Sequence, residues 1–169
     1  MTTTFNLRQV KLRPGEEHRE ALEVELPVLE FGGQRYVPVP EKISAELTID
    51  RAISGTVFSL AFQARLFGPC HRCLDDAVLD IPIRAREYQA ENPEDEEMTT
   101  PYLVDSHLEV SDWARDAVAL ALPDQILCRR DCAGLCPVCG QNLNTEPHEH
   151  ADELPDSRWA ALEQLRDQL

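Results

Sequence analysis

Phe58-Ser59-Leu60-Ala61-Phe62-Gln63-Ala64-Arg65-Leu66 decides the fold, because its apolar side chains occupy every second position. That is the two-residue period of a half-buried strand, with one face in the core and the other in water. The same alternation appears in Leu22, Val24, Leu26 and Val28, in Ile43, Ala45, Leu47 and Ile49, and in Leu79, Ile81, Ile83 and Ala85. Gly32-Gly33, residues 50–55 and Gly68-Pro69 punctuate these runs as turns, so residues 1–90 are expected to form a largely antiparallel β domain. Pro27 and Pro82 lack the N–H that a central ladder needs and suit edges.

Further along, Glu91-Asn92-Pro93-Glu94-Asp95-Glu96-Glu97 is too acidic and too poor in apolar groups to pack, which predicts an acidic linker or loop over 91–110. Ser111 is expected to cap a helix with Asp112 in its first turn, Trp113, Ala117, Leu120 and Ala121 on one side, and Pro123 ending it. This helix would cover the open face of the sheet. A second short helix, from Asp156-Ser157, would set Trp159, Leu162, Leu165 and Leu169 along one stripe. The predicted class is therefore α+β: an antiparallel β-rich domain (1–90) with a covering helix, a Cys-rich zinc-knuckle segment (111–150, helix included) and a short C-terminal helix (151–169).

A 169-residue chain with 43% hydrophobic residues can bury one proper core. No stretch approaches the ~20 apolar residues of a membrane-spanning helix, and Met1-Thr2-Thr3-Thr4-Phe5 lacks the basic-then-apolar plan of a secretory signal. A cytoplasmic location is expected, with no membrane partner. The formal charge of −15, from 31 acidic against 16 basic residues, repels phosphate backbones in bulk and favours a basic protein as partner.

In a reducing compartment an even number of cysteines is read first as metal ligands. They fall as Cys70-x2-Cys73 and as Cys128-x3-Cys132-x3-Cys136-x2-Cys139. Two thiolates two residues apart can grip one ion from a tight turn whose backbone N–H groups steady their charge. In Cys136-Pro137-Val138-Cys139-Gly140 the proline fixes that turn and Gly140 permits the positive φ that wraps the chain around the second sulfur. A tetrahedral site takes four ligands, and with His148 and His150 the count reaches eight, enough for two zinc ions. One partition joins Cys70, Cys73, Cys128 and Cys132, and separately Cys136, Cys139, His148 and His150. A rival partition makes Cys128, Cys132, Cys136 and Cys139 one local site. The first is favoured because it explains the isolated pair in the β domain, but spacing leaves both open, and with them one zinc or two.

Thiolate-rich, closed sites do not leave the open position that catalytic zinc needs, and no nucleophile triad, paired carboxylates or Gly-rich phosphate loop can be assembled, so the chain is read as no enzyme and as taking no small-molecule substrate. A dithiol redox reading of Cys70-His71-Arg72-Cys73 is disfavoured because a strand follows, with no helix dipole to activate the first thiol. Arg72, Arg129 and Arg130 lie in or beside the metal loops, where they can offset thiolate charge or, on the sharper reading, touch RNA phosphate.

Leu127-Cys128-Arg129-Arg130-Asp131-Cys132-Ala133-Gly134-Leu135-Cys136-Pro137-Val138-Cys139-Gly140-Gln141-Asn142-Leu143-Asn144 closely resembles the YceD family, the bacterial large ribosomal RNA subunit accumulation proteins. Ala121-Leu122-Pro123 and Cys70-x2-Cys73-Leu74 after a strand resemble it too, so the likeness covers most of residues 56–144. Many members carry further cysteines where this chain has His148 and His150. The resemblance implies a non-catalytic part in the synthesis, processing or accumulation of large-subunit ribosomal RNA. It implies as partner a basic ribosomal protein or a large-subunit rRNA precursor particle. A zinc-stabilised protein–protein adaptor unrelated to ribosomes is the alternative, and a thiol redox protein the third reading.

Overall fold

The structure is a computed structural model and describes residues 2–93 and 98–150. The predicted helix bearing Trp159, Leu162, Leu165 and Leu169 lies outside the described residues, as do residues 94–97 of the acidic stretch. The chain groups into two compact units, divided after Cys132.

The first unit holds, in chain order, β1 (Thr4–Asn6), a 3-10 turn (Leu7–Gln9), β2 (Glu17–Glu25), β3 (Leu29–Phe31), β4 (Gln34–Pro38), β5 (Lys42–Arg51), β6 (Gly55–Pro69), β7 (Asp76–Ala90), β8 (Leu103–Val104), β9 (His107–Glu109) and α1 (Val110–Ala121). All described pairings are antiparallel. β5 lies between β2 and β6, β7 pairs with the full length of β6, and β4 joins the far end of β6 and carries β3. β1, β9 and β8 make a small separate sheet, so Leu103–Val104 and His107–Glu109 of the expected linker form strands. The described residues are thus mostly antiparallel sheet with one helix.

The alternation predicts the core. Val24, Leu26, Ile43, Ala45, Leu47, Ile49, Phe58, Leu60, Phe62, Ala64, Leu66, Ile81 and Ile83 are all buried, whereas Leu22, Leu79 and Ala85, expected on the same faces, are half-buried and Val28 is exposed. Pro82 does sit on an edge strand, since β7 has β6 on one side only. Glu91 N–H donates to Ser54 O and Cys70 N–H to Asp75 O, which places the odd-numbered β7 residues toward β6 and the even ones, Pro82 among them, toward the open edge. A proline there forfeits no ladder bond. β2, by contrast, stops at Glu25, and Pro27 and Val28 lie beyond it.

The helix starts one residue earlier than its expected cap. Its N-cap, Glu109, makes no side-chain capping bond, and Ser111 sits inside, buried, with its Oγ accepting the Thr3 N–H at 2.9 Å. The buried side is Val110, Ser111, Trp113, Ala114 and Val118, while Leu120 is 89% exposed, so the expected Trp113-Ala117-Leu120 face is rotated from the real one. The Ser111 hydroxyl bonds the amino-terminal segment instead of capping its own helix. α1 lies against β7 and reaches β2 and β1. No helix among the described residues is long and apolar enough to cross a membrane.

Candidate metal centres

In the first unit, the turn between β6 and β7 carries Cys70 and Cys73, and the chain after α1 returns to it with Cys128 and Cys132. Two backbone bonds close the turn, Leu74 N–H to Cys70 O at 3.0 Å and Cys70 N–H to Asp75 O at 2.7 Å. Two more bonds tie it to the returning segment: His71 N–H to Ile126 O at 2.8 Å, and Arg72 Nη1 to Cys132 O at 3.1 Å. Arg72 Nε also donates to Gln125 Oε1 at 3.3 Å, and Ile126 is buried to anchor the segment. The guanidinium of Arg72 is thereby held beside the thiols. Arg129 pairs with Asp131 at 3.6 Å, and Arg130 is exposed.

The four sulfurs converge, with Cys70 Sγ 3.8 Å from Cys132 Sγ and Cys73 Sγ 3.6 Å from Cys128 Sγ. Neither distance is a disulfide, which needs about 2.05 Å, and all six cysteines are free thiols. Burial opposes charge on Cys70, yet backbone N–H groups of Cys73, Cys128 and Arg72 aimed at its sulfur outweigh burial and bring the thiol down to about 6. Burial pushes the Cys73 thiol up, and its neighbouring thiols add to the rise. Tyr36 belongs to this neighbourhood although the sequence gives no hint of it. Its hydroxyl donates to Pro69 O at 3.0 Å, and burial together with the Cys70 thiolate raises its pKa.

In the second unit, Cys136-Pro137-Val138-Cys139-Gly140 folds as its composition predicts. Gly140 adopts φ +74° and its N–H donates to Cys136 O at 2.8 Å. The turn is pinned by Cys136 N–H to Gln141 O at 2.8 Å and an isolated bridge between Leu135 and Asn142. Backbone N–H groups of Cys139 and Val138, opposed by burial, bring the Cys136 thiol to about 6. Asn142 and Asn144, unassigned by sequence reasoning, hold the following loop: Asn142 Oδ1 accepts from Asn144 N–H at 2.9 Å, and Asn144 Oδ1 accepts from Ala133 N–H at 2.8 Å.

His148 Nδ1 lies 2.7 Å from the Glu146 carbonyl, which can only accept, so Nδ1 carries a proton and in the neutral imidazole Nε2 keeps its lone pair. That lone pair faces Cys139 Sγ at 3.2 Å. The carbonyl, and behind it Cys136, raises the pKa of His148. His150 stands edge-on to His148, with ring centroids 4.9 Å apart. The structure thus gathers two sets, Cys70, Cys73, Cys128 and Cys132, and Cys136, Cys139, His148 and His150, each with its ligand atoms within 4.8 Å of one another. Either set can hold a metal ion. The rival set of Cys128, Cys132, Cys136 and Cys139 is not among the groups so assembled from the described residues.

Comparison with known proteins completes the description. The family described as large ribosomal RNA subunit accumulation protein YceD matches residues 58–166, a span that includes all eight of these side chains. An uncharacterized protein of Mycobacterium tuberculosis is 31% identical over 128 residues, 73% of this chain and 61% of that protein, and one from Mycobacterium bovis gives the same figures. An uncharacterized protein of Mycobacterium leprae is 30% identical over 145 residues, 82% of this chain and 62% of its own length. The chain thus spans 61–62% of the length of these relatives. No solved structure matches it.

Proposed function

This chain belongs to the YceD family, and on that premise we propose that it is a cytoplasmic factor supporting synthesis, processing or accumulation of large-subunit ribosomal RNA. It acts by binding, not catalysis, and each of its two ligand sets holds one structural zinc ion. The observation that carries the reading is the family match over residues 58–166, described in terms of large-subunit rRNA accumulation. Its partner is a basic ribosomal protein or a large-subunit rRNA precursor particle, for which the excess of 31 acidic over 16 basic residues suits the former.

The donor geometry supports zinc. Four thiolates about 2.3 Å from one tetrahedral ion stand about 3.8 Å apart. The Sγ–Sγ separations of 3.8 and 3.6 Å fit that figure. Soft sulfur and imidazole donors, with no carboxylate in either set, are the ligands zinc favours over harder cations. Gathering four thiols also speaks for metal over a two-thiol redox couple. Zinc bound here would tie the β6–β7 turn to the chain that follows α1 and would fix the Cys136–His150 loop.

The test is depletion of the protein in its native cell, followed by quantification of large- and small-subunit rRNA. A fall in the large-to-small ratio, reversed by the wild-type chain, is expected, and an unchanged ratio sinks the proposal. Metal analysis of gently purified protein is expected to return two zinc ions per chain.

A further inference from the structure

We infer that the solvent face of the main sheet carries a second functional surface, a trough in which Arg84 and Arg86 of β7 bind successive phosphates of single-stranded RNA. The inference rests on the proposed function and names the contact through which the chain would engage its RNA.

The geometry follows from register. Glu46 of β5, Ala61 of β6 and Arg84 stand in one cross-strand row, and Thr48, Ser59 and Arg86 in the next. These six line a depression of about 280 Å³. Its floor is made of small side chains, two of them hydroxyls, so a sugar–phosphate chain can approach the sheet closely. Arg84 and Arg86 form one wall. Both are exposed and on the same face, because they are two positions apart on a strand.

The charges here run against those of the rest of the molecule. Three of the other arginines on this sheet are engaged, Arg19 with Glu17, Arg65 with Asp80 at 2.7 Å and Arg51 with Glu91 at 2.7 Å, and Arg35 of β4 stands opposite Glu30 of β3 in register. Among the described residues neither Arg84 nor Arg86 has an ion pair or hydrogen bond. In a chain with 31 acidic and 16 basic side chains, two adjacent unengaged guanidinium groups facing a concave surface with a single acid, Glu46, are a local reversal of sign. Their recognition chemistry suits phosphate, because a guanidinium presents paired N–H donors to two oxygens of one group, and the Ser59 and Thr48 hydroxyls add donors beside them. Residues two apart on a strand are about 6.7 Å apart. That separation matches the step between neighbouring phosphates of an extended strand. Arg72, by contrast, is committed to Cys132 O and Gln125, and Arg129 to Asp131.

The test titrates the full-length, zinc-loaded protein into a fluorescein-labelled uridine 15-mer and follows anisotropy from 50 to 200 mM salt. The R84A/R86A variant is expected to weaken binding more than tenfold at 50 mM salt and to flatten the salt slope by about 1.4, two phosphate contacts at about 0.7 each. R84K/R86K should keep most of the affinity, and R129A/R130A all of it, with circular dichroism reporting the fold of each. Failure of the wild-type chain to bind the 15-mer overturns the inference. So do undiminished binding by R84A/R86A, loss in R129A/R130A instead, and displacement of the RNA by oligoglutamate at equal concentration, which would make the trough a site for an acidic protein. A wild-type chain that binds no RNA yet restores large-subunit rRNA to depleted cells overturns the trough alone. One that restores nothing overturns the function.

Discussion

Leu74 and Gly140 occupy the same place in their two turns, each donating its N–H to the carbonyl of the first cysteine, at 3.0 and 2.8 Å, and each with positive φ, +64° and +74°. Glycine takes that conformation freely, whereas a side chain there meets the following carbonyl and costs about 1–2 kcal/mol. Leu74 recovers little by packing, being 57% exposed. Leu74→Gly should therefore stabilise the zinc-loaded protein, by about 1 kcal/mol less the entropy glycine adds to the unfolded chain. Gly140→Ala should do the reverse by about 1 kcal/mol, through the backbone alone, because open space surrounds the Cβ position. Urea midpoints measure both, and a lower midpoint for Leu74→Gly would sink the comparison. Gly140's positive φ was legible in Cys-Pro-Val-Cys-Gly, where composition and conformation agree. Leu74's was not, because no local rule assigns a leucine to the left-handed region and only the closing of the loop on two cysteines forces it there.

Elements were legible where one face is apolar and the other polar over many residues, which is why β5, β6 and β7 follow directly from alternation. The short strands β1, β3, β8 and β9 span too few positions for a period to emerge, and the helix face was misjudged because Ser111 serves Thr3 and not its own helix. One close approach also escaped sequence reading. A Cβ at Gly68 would overlap the Tyr36 ring and lie 2.9 Å from Arg35 O, so Gly68→Ala must shift the β4–β6 pairing beside Cys70. We expect a loss of about 1–3 kcal/mol in thermal or urea unfolding, and an unchanged midpoint would show the strand yields freely. α1 supplies a pH dependence. Burial, with the hydrogen bond from Tyr102 to Asp116 at 3.0 Å, pushes the Tyr102 phenol up to about 12. Since the unfolded phenol titrates near 10, the folded state holds this proton more tightly. The contribution is complete below about pH 10 and is lost as pH rises toward 12. Melting temperature should fall over that interval in wild type and fall less in Tyr102→Phe; equal slopes would refute the assignment.

For the molecule as a whole, the grouping of cysteines had to come from the fold, because spacing cannot say whether the chain leaving α1 returns to the β6–β7 turn or folds on itself. Because of that return, zinc held by the first set would be a cross-link over long loops, Cys73 and Cys128 being 55 positions apart and Cys70 and Cys132 62. Closing a loop of that size removes about 4 kcal/mol of unfolded-state entropy on the cross-link model, which for a domain this size corresponds to roughly 10 °C in melting temperature. The second set spans residues 136–150 only, so its loss should leave the β-rich unit's melting unchanged. Access differs as well: in the first set Cys70, Cys73 and Cys132 are buried and Cys128 alone is exposed, whereas in the second set Cys136 alone is buried and Cys139 and His150 are exposed. A colorimetric chelator should therefore withdraw zinc in two phases of equal amplitude, the fast one from the second set. Cys139→Ser should abolish the fast phase with little change in the melting of the β-rich unit, while Cys70→Ser should abolish the slow phase and lower that melting by about 10 °C. A single phase, or a melting temperature that Cys70→Ser leaves untouched, would mean that the hydrophobic core alone holds the sheet to the segment beyond α1.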